Sequence, residues 1–131
     1  MFKHGTKHFI MMIMAACVLF LVSAEPAHAA YTDIAAGSNH SLALNSTDGT
    51  VWAWGYNSNG ELGDGTMADH LTPVQVSLTG VFSKIAAGSM HSLALKNDGT
   101  VWAWGNNSSG QLGDGTTTKS LTPIQVSILS G

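Results

Sequence analysis

The chain has 131 residues, a formal net charge of −3, fifteen glycines, three prolines and one cysteine, and this length suits one small domain. All five of its basic residues are lysines, and after residue 29 three lysines stand against seven acidic residues. A chain with no arginine and a net negative charge lacks the basic surface that binds phosphate backbones. We therefore expect no nucleic-acid partner.

The first 29 residues have the layout of a secretory signal peptide. Lys3 and Lys7 precede an uncharged apolar run, Phe9–Val22, and Ala27-His28-Ala29 supplies a small-residue cleavage site. The alternative is a retained membrane anchor, but fourteen residues fall short of the ~20 that span a bilayer. Cys17 lies inside the apolar run, which disfavours lipidation. We expect cleavage after Ala29 and a secreted or extracellular chain (periplasm or cell surface included), which touches a membrane only through the signal peptide.

The rest of the chain, residues 30–131, consists of two copies of one unit. Ile34–Val76 and Ile85–Val126 align with one extra residue in the first copy, and 31 of 42 aligned positions are identical. A repeat of this length indicates one supersecondary unit per copy. We place repeat one at about 34–84 and repeat two at about 85–131.

Each unit is predicted to contain four short strands in chain order. In the first copy these are Ile34–Ala36, Ser41–Leu44, Thr50–Trp54 and Val74–Val76, and Asp48-Gly49 is a hairpin signal between the middle pair. Short strands, abundant glycine and a period near fifty predict β-propeller blades or a β-solenoid, and they exclude helical repeats.

The repeated residues AGSxHSLALxxDGTVWAWGxNxxGxLGDGT, followed by TPxQV, resemble the regulator-of-chromosome-condensation repeat. The resemblance covers about residues 34–126. It implies an all-β fold with two blades of a regulator-of-chromosome-condensation-like β-propeller, an incomplete ring because the family's rings have about seven blades. The leader makes the chain similar to the family's secreted bacterial members. The residues expected to form the structural repeat motif are Gly37, His40, Asp48, Gly49, Trp52, Trp54, Gly55, Gly60, Gly63, Asp64, Gly88, His91, Asp98, Gly99, Trp102, Trp104, Gly105, Gly110, Gly113 and Asp114.

The last residues, Val126–Gly131, correspond to a segment that in the first copy runs on into the next repeat. Two readings stay open: a truncated reading frame, or a subunit that completes a ring by association. Two blades alone would leave tryptophan faces and strand edges open to pairing.

The polar residues that recur in both copies predict structure rather than chemistry. His40 and His91 could be metal ligands, but a site would need further ligands nearby, so we expect histidines that bond backbone within each blade. Asp64 and Asp114 lack the alternate acidic residues of a calcium loop, and we expect them to accept backbone N–H bonds in tight turns. No catalytic residues, metal ligands or cofactor are predicted.

The function that the sequence favours is a secreted, non-catalytic module for protein–protein interaction or scaffolding. Its partner is an unknown protein or a second copy of itself. The candidate contacts are residues in or beside the loops where the copies diverge: Tyr56, Asn57, His70, Asn106 and Lys119.

Three alternatives are weighed against this function. The first is an extracellular carbohydrate-active enzyme or its accessory domain, which has only propeller precedent behind it. Nucleotide exchange on a small GTPase is disfavoured by the leader and by the acidic charge. The last is a gene remnant without independent function.

Overall fold

The computed structural model describes residues 30–127. The predicted signal peptide, residues 1–29, lies outside the described residues, as do residues 128–131. Signal-peptide cleavage and the predicted domain boundaries therefore stay predictions. In the described part of the chain, no helix is long and apolar enough to cross a membrane.

Eight strands form two four-stranded sheets, with the orders β1-β2-β3-β4 and β5-β6-β7-β8 and every neighbouring pair antiparallel. The all-β prediction is confirmed, and the strand ends differ from the predicted ones by up to four residues. The strands are β1 (Tyr31–Ala36), β2 (His40–Asn45), β3 (Val51–Gly55), β4 (His70–Gln75), β5 (Phe82–Ala87), β6 (His91–Lys96), β7 (Val101–Gly105) and β8 (Ser120–Gln125).

The Asp-Gly-Thr-Val-Trp sequence forms the tight link between β2 and β3. Asp48 Oδ1 accepts hydrogen bonds from the Thr50 backbone N–H (2.9 Å) and hydroxyl (2.7 Å), and the Thr50 hydroxyl oxygen accepts one from the Trp52 indole (3.0 Å). The bond from the Thr50 N–H, followed by that from its hydroxyl, lowers the pKa of Asp48. Gly49 has a φ of 70°, which glycine adopts readily. The second sheet repeats this arrangement with Asp98, Thr100 and Trp102.

The two sheets share one hydrophobic core, because β5 packs against both β1 and β2. Alternation along β3 buries Val51 and Ala53 and leaves Trp52 and Trp54 half-buried on the opposite face. The buried core residues are Leu42, Leu44, Val51, Ala53, Leu62, Val76, Phe82, Ala94 and Trp104.

All the long loops lie at one edge of the two sheets. In an up-and-down antiparallel sheet the β1–β2 turn and the β3–β4 connection fall at the same end. Residues 37–39, 56–69, 88–90 and 106–119 therefore form one edge, which we call the loop edge. The opposite edge has the short turns around Asp48 and Asp98 and the β4–β5 connection, residues 76–81.

Candidate functional site

The two sheets meet at a buried hydrogen-bonded junction centred on the backbone carbonyl of Glu61. This oxygen accepts hydrogen bonds from the Trp104 indole Nε1 (2.8 Å) and from the Ser92 hydroxyl (2.9 Å). The Ser92 oxygen in turn lies 2.9 Å from Nε2 of His40. Since the Ser92 hydroxyl donates to Glu61, the His40 ring donates to Ser92. Trp104 and Ser92 are wholly buried and His40 is 4% exposed, so the network is shielded from water.

The prediction that each recurring histidine bonds backbone within its own blade is wrong for His40. Its ring reaches the hydroxyl of Ser92 in the other sheet, because the start of β2, which carries His40, lies opposite the start of β6, which carries Ser92, at the junction. His91, at the same repeat position, is only half-buried. In the described part of the chain, no group of three or more His, Cys, Asp or Glu residues is placed to hold a metal ion.

Acid should weaken this junction through His40. Burial lowers the pKa of His40 from its usual 6.5; the negative charge of Glu61 opposes this shift and His91 adds to it. The unfolded chain therefore binds a proton more readily than the folded chain, and the free energy of unfolding falls as the pH drops through and below about 6.5. Denaturant unfolding between pH 8 and pH 5.5 measures this loss.

The matched controls for this pH dependence are His40→Gln, which keeps a side-chain amide donor but does not titrate, and His91→Gln. The loss of stability between pH 8 and pH 5.5 should shrink in His40→Gln and persist in His91→Gln. An unchanged pH profile in His40→Gln would contradict the assignment.

Asp64 lies in the Gly-Asp-Gly-Thr turn and organises it. Its Oδ1 accepts hydrogen bonds from the Thr66 N–H (2.9 Å) and hydroxyl (2.9 Å), and its Oδ2 lies 3.0 Å from the His70 ring. Burial tends to raise the pKa of Asp64, but the bonds from Thr66 and Asn57 and the neighbouring His70 outweigh it, so the pKa is lowered. Asp114 makes the same bonds with Thr116, and the Thr116 N–H contributes most to lowering its pKa.

Asn57 is not a partner contact, which corrects the sequence prediction. Its side chain is wholly buried. The Nδ2 group donates to Asp64 Oδ1 (3.2 Å) and to the backbone oxygens of Thr66 (3.1 Å) and Ala68 (3.0 Å), and Oδ1 accepts from the Leu62 N–H (2.9 Å). The side chain holds the loop closed and leaves no group free for a partner.

Asn107 has the same role in the second sheet, donating to Asp114, Thr116 and Thr118. It is wholly buried, and Asn45 is 7% exposed. Although both residues stand in Asn-x-Ser/Thr sequences, neither is accessible for glycan attachment in the folded chain.

The other four candidate contacts lie at the loop edge or where a strand begins beside it. Lys119 is exposed and its Nζ crosses from the second sheet to the first, 3.1 Å from the Ser58 carbonyl oxygen and 3.2 Å from Met67 Sδ. Asn106 reaches Asn59 in the neighbouring loop at 3.4 Å. The structure thus brings the loops of both repeats into one continuous surface.

The most exposed apolar side chains of this surface are Met67 (54%), Met90 (43%) and Tyr56 (39%). Met90 was not among the predicted contacts. The signal was available, because Met90 replaces Asn39 of the first copy, but a single substitution in a short turn did not stand out beside the diverging loops. Its sulfur lies 3.8 Å from Asn59 Nδ2, which joins it to the same surface.

Two consecutive antiparallel four-stranded sheets that pack through a shared core and a buried junction are neighbouring blades of a β-propeller. A family model described as regulator of chromosome condensation (RCC1) repeat matches residues 48–95 and 98–131. A second model of the same description matches residues 31–61 and 82–111. The chain belongs to the RCC1 repeat family.

The similar proteins are much longer than this chain. The Ultraviolet-B receptor UVR8 of Arabidopsis thaliana is 41% identical over 64 residues, which cover 47% of this chain and 14% of the receptor. The secretion-regulating guanine nucleotide exchange factor of Bos taurus is 41% identical over 66 residues, covering 49% of this chain and 14% of that protein.

Among solved structures, Prp20p of Saccharomyces cerevisiae superposes with a TM-score of 0.72 at 25% identity, covering 80% of this chain and 27% of Prp20p. The chain thus spans about a quarter or less of the length of each relative named here.

Proposed function

We propose that the chain is a secreted, non-catalytic interaction module whose loop edge binds a folded protein. The observation that carries this proposal is the exposure of Met67, Met90 and Tyr56 on one surface that Lys119 and Asn59 link across both blades. Methionine side chains adapt to irregular apolar partners, and tyrosine and methionine are enriched where proteins meet.

The anchored loops make this surface suited to specific binding. The buried side chains of Asn57 and Asn107 each tie a long loop to its own turn, so the loops are ordered before a partner arrives. A preorganised surface loses less conformational entropy on association. The exposed ammonium group of Lys119 adds a positive charge for a partner carboxylate.

The similar proteins agree with a protein as the partner. The structural report on Prp20p describes its binding to Gsp1p and histones, and a further yeast structure shows it bound to Kap60. Those partners belong to Prp20p. For this chain we propose only that the partner is a protein. A nucleic-acid partner is not proposed, because only three lysines and no arginine follow the leader.

Secretion is proposed on the leader alone. Lys3 and Lys7, the apolar run Phe9–Val22 and the Ala27-His28-Ala29 site support export and cleavage after Ala29. Expression of the full chain with its own leader tests this. We expect the extracellular or periplasmic product to begin at Ala30 by mass spectrometry, and an uncleaved cytoplasmic product would contradict it.

The loop edge is tested by combining Met67→Ser with Met90→Ser. The full chain is used to capture proteins from the extracellular fraction of its source organism, and binding of the captured protein is then titrated. Loss of two exposed apolar anchors should weaken binding at least about tenfold. Tyr31→Ser is the matched control, because Tyr31 is 48% exposed but lies on β1 near the opposite edge. Equal binding by the double variant and wild type would overturn the proposal.

A further inference from the structure

The outer face of the first blade is more exposed than the face of the second blade that carries the same repeat positions. We call it the leading face and define it by Ser41, Trp54 and Leu71 of the first blade. Ser41 and Trp54 are half-buried and Leu71 is 97% exposed. The residues at the same repeat positions in the second blade, Ser92 and Trp104, are wholly buried, and Leu121 is half-buried.

The other outer face shows the reverse difference. We call it the trailing face and define it by His91, Val101 and Gln111 of the second blade. Val101 is 38% exposed, whereas its counterpart Val51 is 1% exposed. His91 and Gln111 are half-buried, whereas their counterparts in the first blade, His40 and Glu61, are 4% and 1% exposed.

The junction inside the chain shows how these two kinds of face fit together. There Ser92 and Trp104 of the second blade donate hydrogen bonds to the Glu61 carbonyl of the first blade. The His40 ring of the first blade donates to the Ser92 hydroxyl. Leu121 packs on Gly60, where an added Cβ would lie 2.7 Å from the Leu121 Cα. At the trailing face the matching site is open: an added Cβ on Gly110 would meet only the Thr116 carbonyl oxygen, at 3.8 Å.

We propose that the leading face of one copy of this chain packs on the trailing face of a second copy. Leu71 then occupies the space over Gly110, Trp54 donates to the Gln111 carbonyl, and His91 reaches Ser41, as the corresponding residues do at the internal junction. The contact is heterologous, so it repeats from copy to copy until a ring closes.

One position makes the contact between copies weaker than the contact within the chain. At the internal junction Asp33 Oδ2 accepts a hydrogen bond from the Ile85 N–H at 3.3 Å. Lys84 stands at the position of Asp33 on the trailing face, and an ammonium group cannot accept a bond from the Ile34 N–H. Each contact between copies therefore lacks one of the hydrogen bonds of the internal junction.

Sedimentation of the full chain across a concentration series tests the proposal, with two variants that each block one face. Leu71→Asp puts a charge on the leading face, and His91→Lys puts one on the trailing face; both positions are accessible in the described blades, so the fold should tolerate them. Burying an unpaired charge is costly, and each variant should associate at least about 100-fold more weakly than wild type.

Mixing the two variants separates a blocked face from a damaged fold. Leu71→Asp keeps an intact trailing face and His91→Lys keeps an intact leading face, so an equimolar mixture should form a 1:1 dimer and nothing larger. Gln75→Ser, at a position that is exposed in both blades, should associate like wild type. A wild-type chain that stays monomeric throughout the series, or a mixture in which neither variant rescues the other, would overturn the proposal.

Discussion

Replacement of Trp104 by alanine is expected to lower the free energy of unfolding by about 3–5 kcal/mol. The indole is wholly buried between the two blades, and its Nε1 donates to the Glu61 carbonyl at 2.8 Å. The substitution opens a cavity in the shared core and removes one of the two donors to that buried oxygen, which adds to the loss. Urea unfolding followed by circular dichroism measures the change.

Trp54→Ala is the matched control, because Trp54 has the same place in β3 as Trp104 has in β7. Trp54 is only half-buried within the described blades, so its loss should cost less than half as much at protein concentrations where the chain is monomeric. Equal losses of unfolding free energy in the two variants would contradict this prediction. They would show that the contribution of Trp104 comes from its strand position and not from its burial at the junction.

Asn57→Asp is expected to be about as damaging, with a loss of about 3–5 kcal/mol near neutral pH. The substitution is nearly isosteric, but it replaces a buried Nδ2 donor with a negative oxygen beside Asp64 and the carbonyl oxygens of Thr66 and Ala68. Acceptors then face acceptors in a site that water does not reach. The loss should shrink at low pH, because protonation of the new carboxyl restores one donor.

The control for this substitution is Asn106→Asp, one residue before the equivalent asparagine of the second blade. Asn106 is half-buried, and its only side-chain donation, to Asn59 Oδ1, is long at 3.4 Å. Its replacement should change the free energy of unfolding by less than about 1 kcal/mol. Thermal unfolding of both variants between pH 4 and pH 8 makes the comparison, and a mild effect of Asn57→Asp at pH 7 would refute the role assigned to Asn57.

The local features of the fold could be predicted because they depend on residues close together in the chain. The Asp48-Gly49 hairpin needs only a carboxylate, a glycine and the next threonine, and alternation along β3 follows from the strand period. Because the same sequence pattern occurs twice, it also predicts two structural units with the same strands. For these reasons the strand order within each blade was within reach of the sequence.

The contacts between the blades could not be predicted in the same way. The acceptor at the junction is the backbone carbonyl of Glu61. Every residue has such a group, so the residue type does not show which carbonyl will accept. Asn57 looked like a surface residue because asparagine is common in exposed turns, whereas here four loop oxygens surround its amide. The bond from His40 to Ser92 joins residues 52 positions apart, which no local pattern specifies.

The acceptor at the junction is a backbone oxygen, and this affects how repeats of this kind can be duplicated. A carbonyl oxygen survives any substitution of the side chain that bears it, and the two repeats already differ there, with Glu61 in one and Gln111 in the other. The side chains that bond to this oxygen, Ser92 and Trp104, have identical counterparts in the first repeat. A duplicated copy of the gene segment would therefore keep the hydrogen bonds to this carbonyl oxygen without compensating mutations, even where other contacts of the interface change.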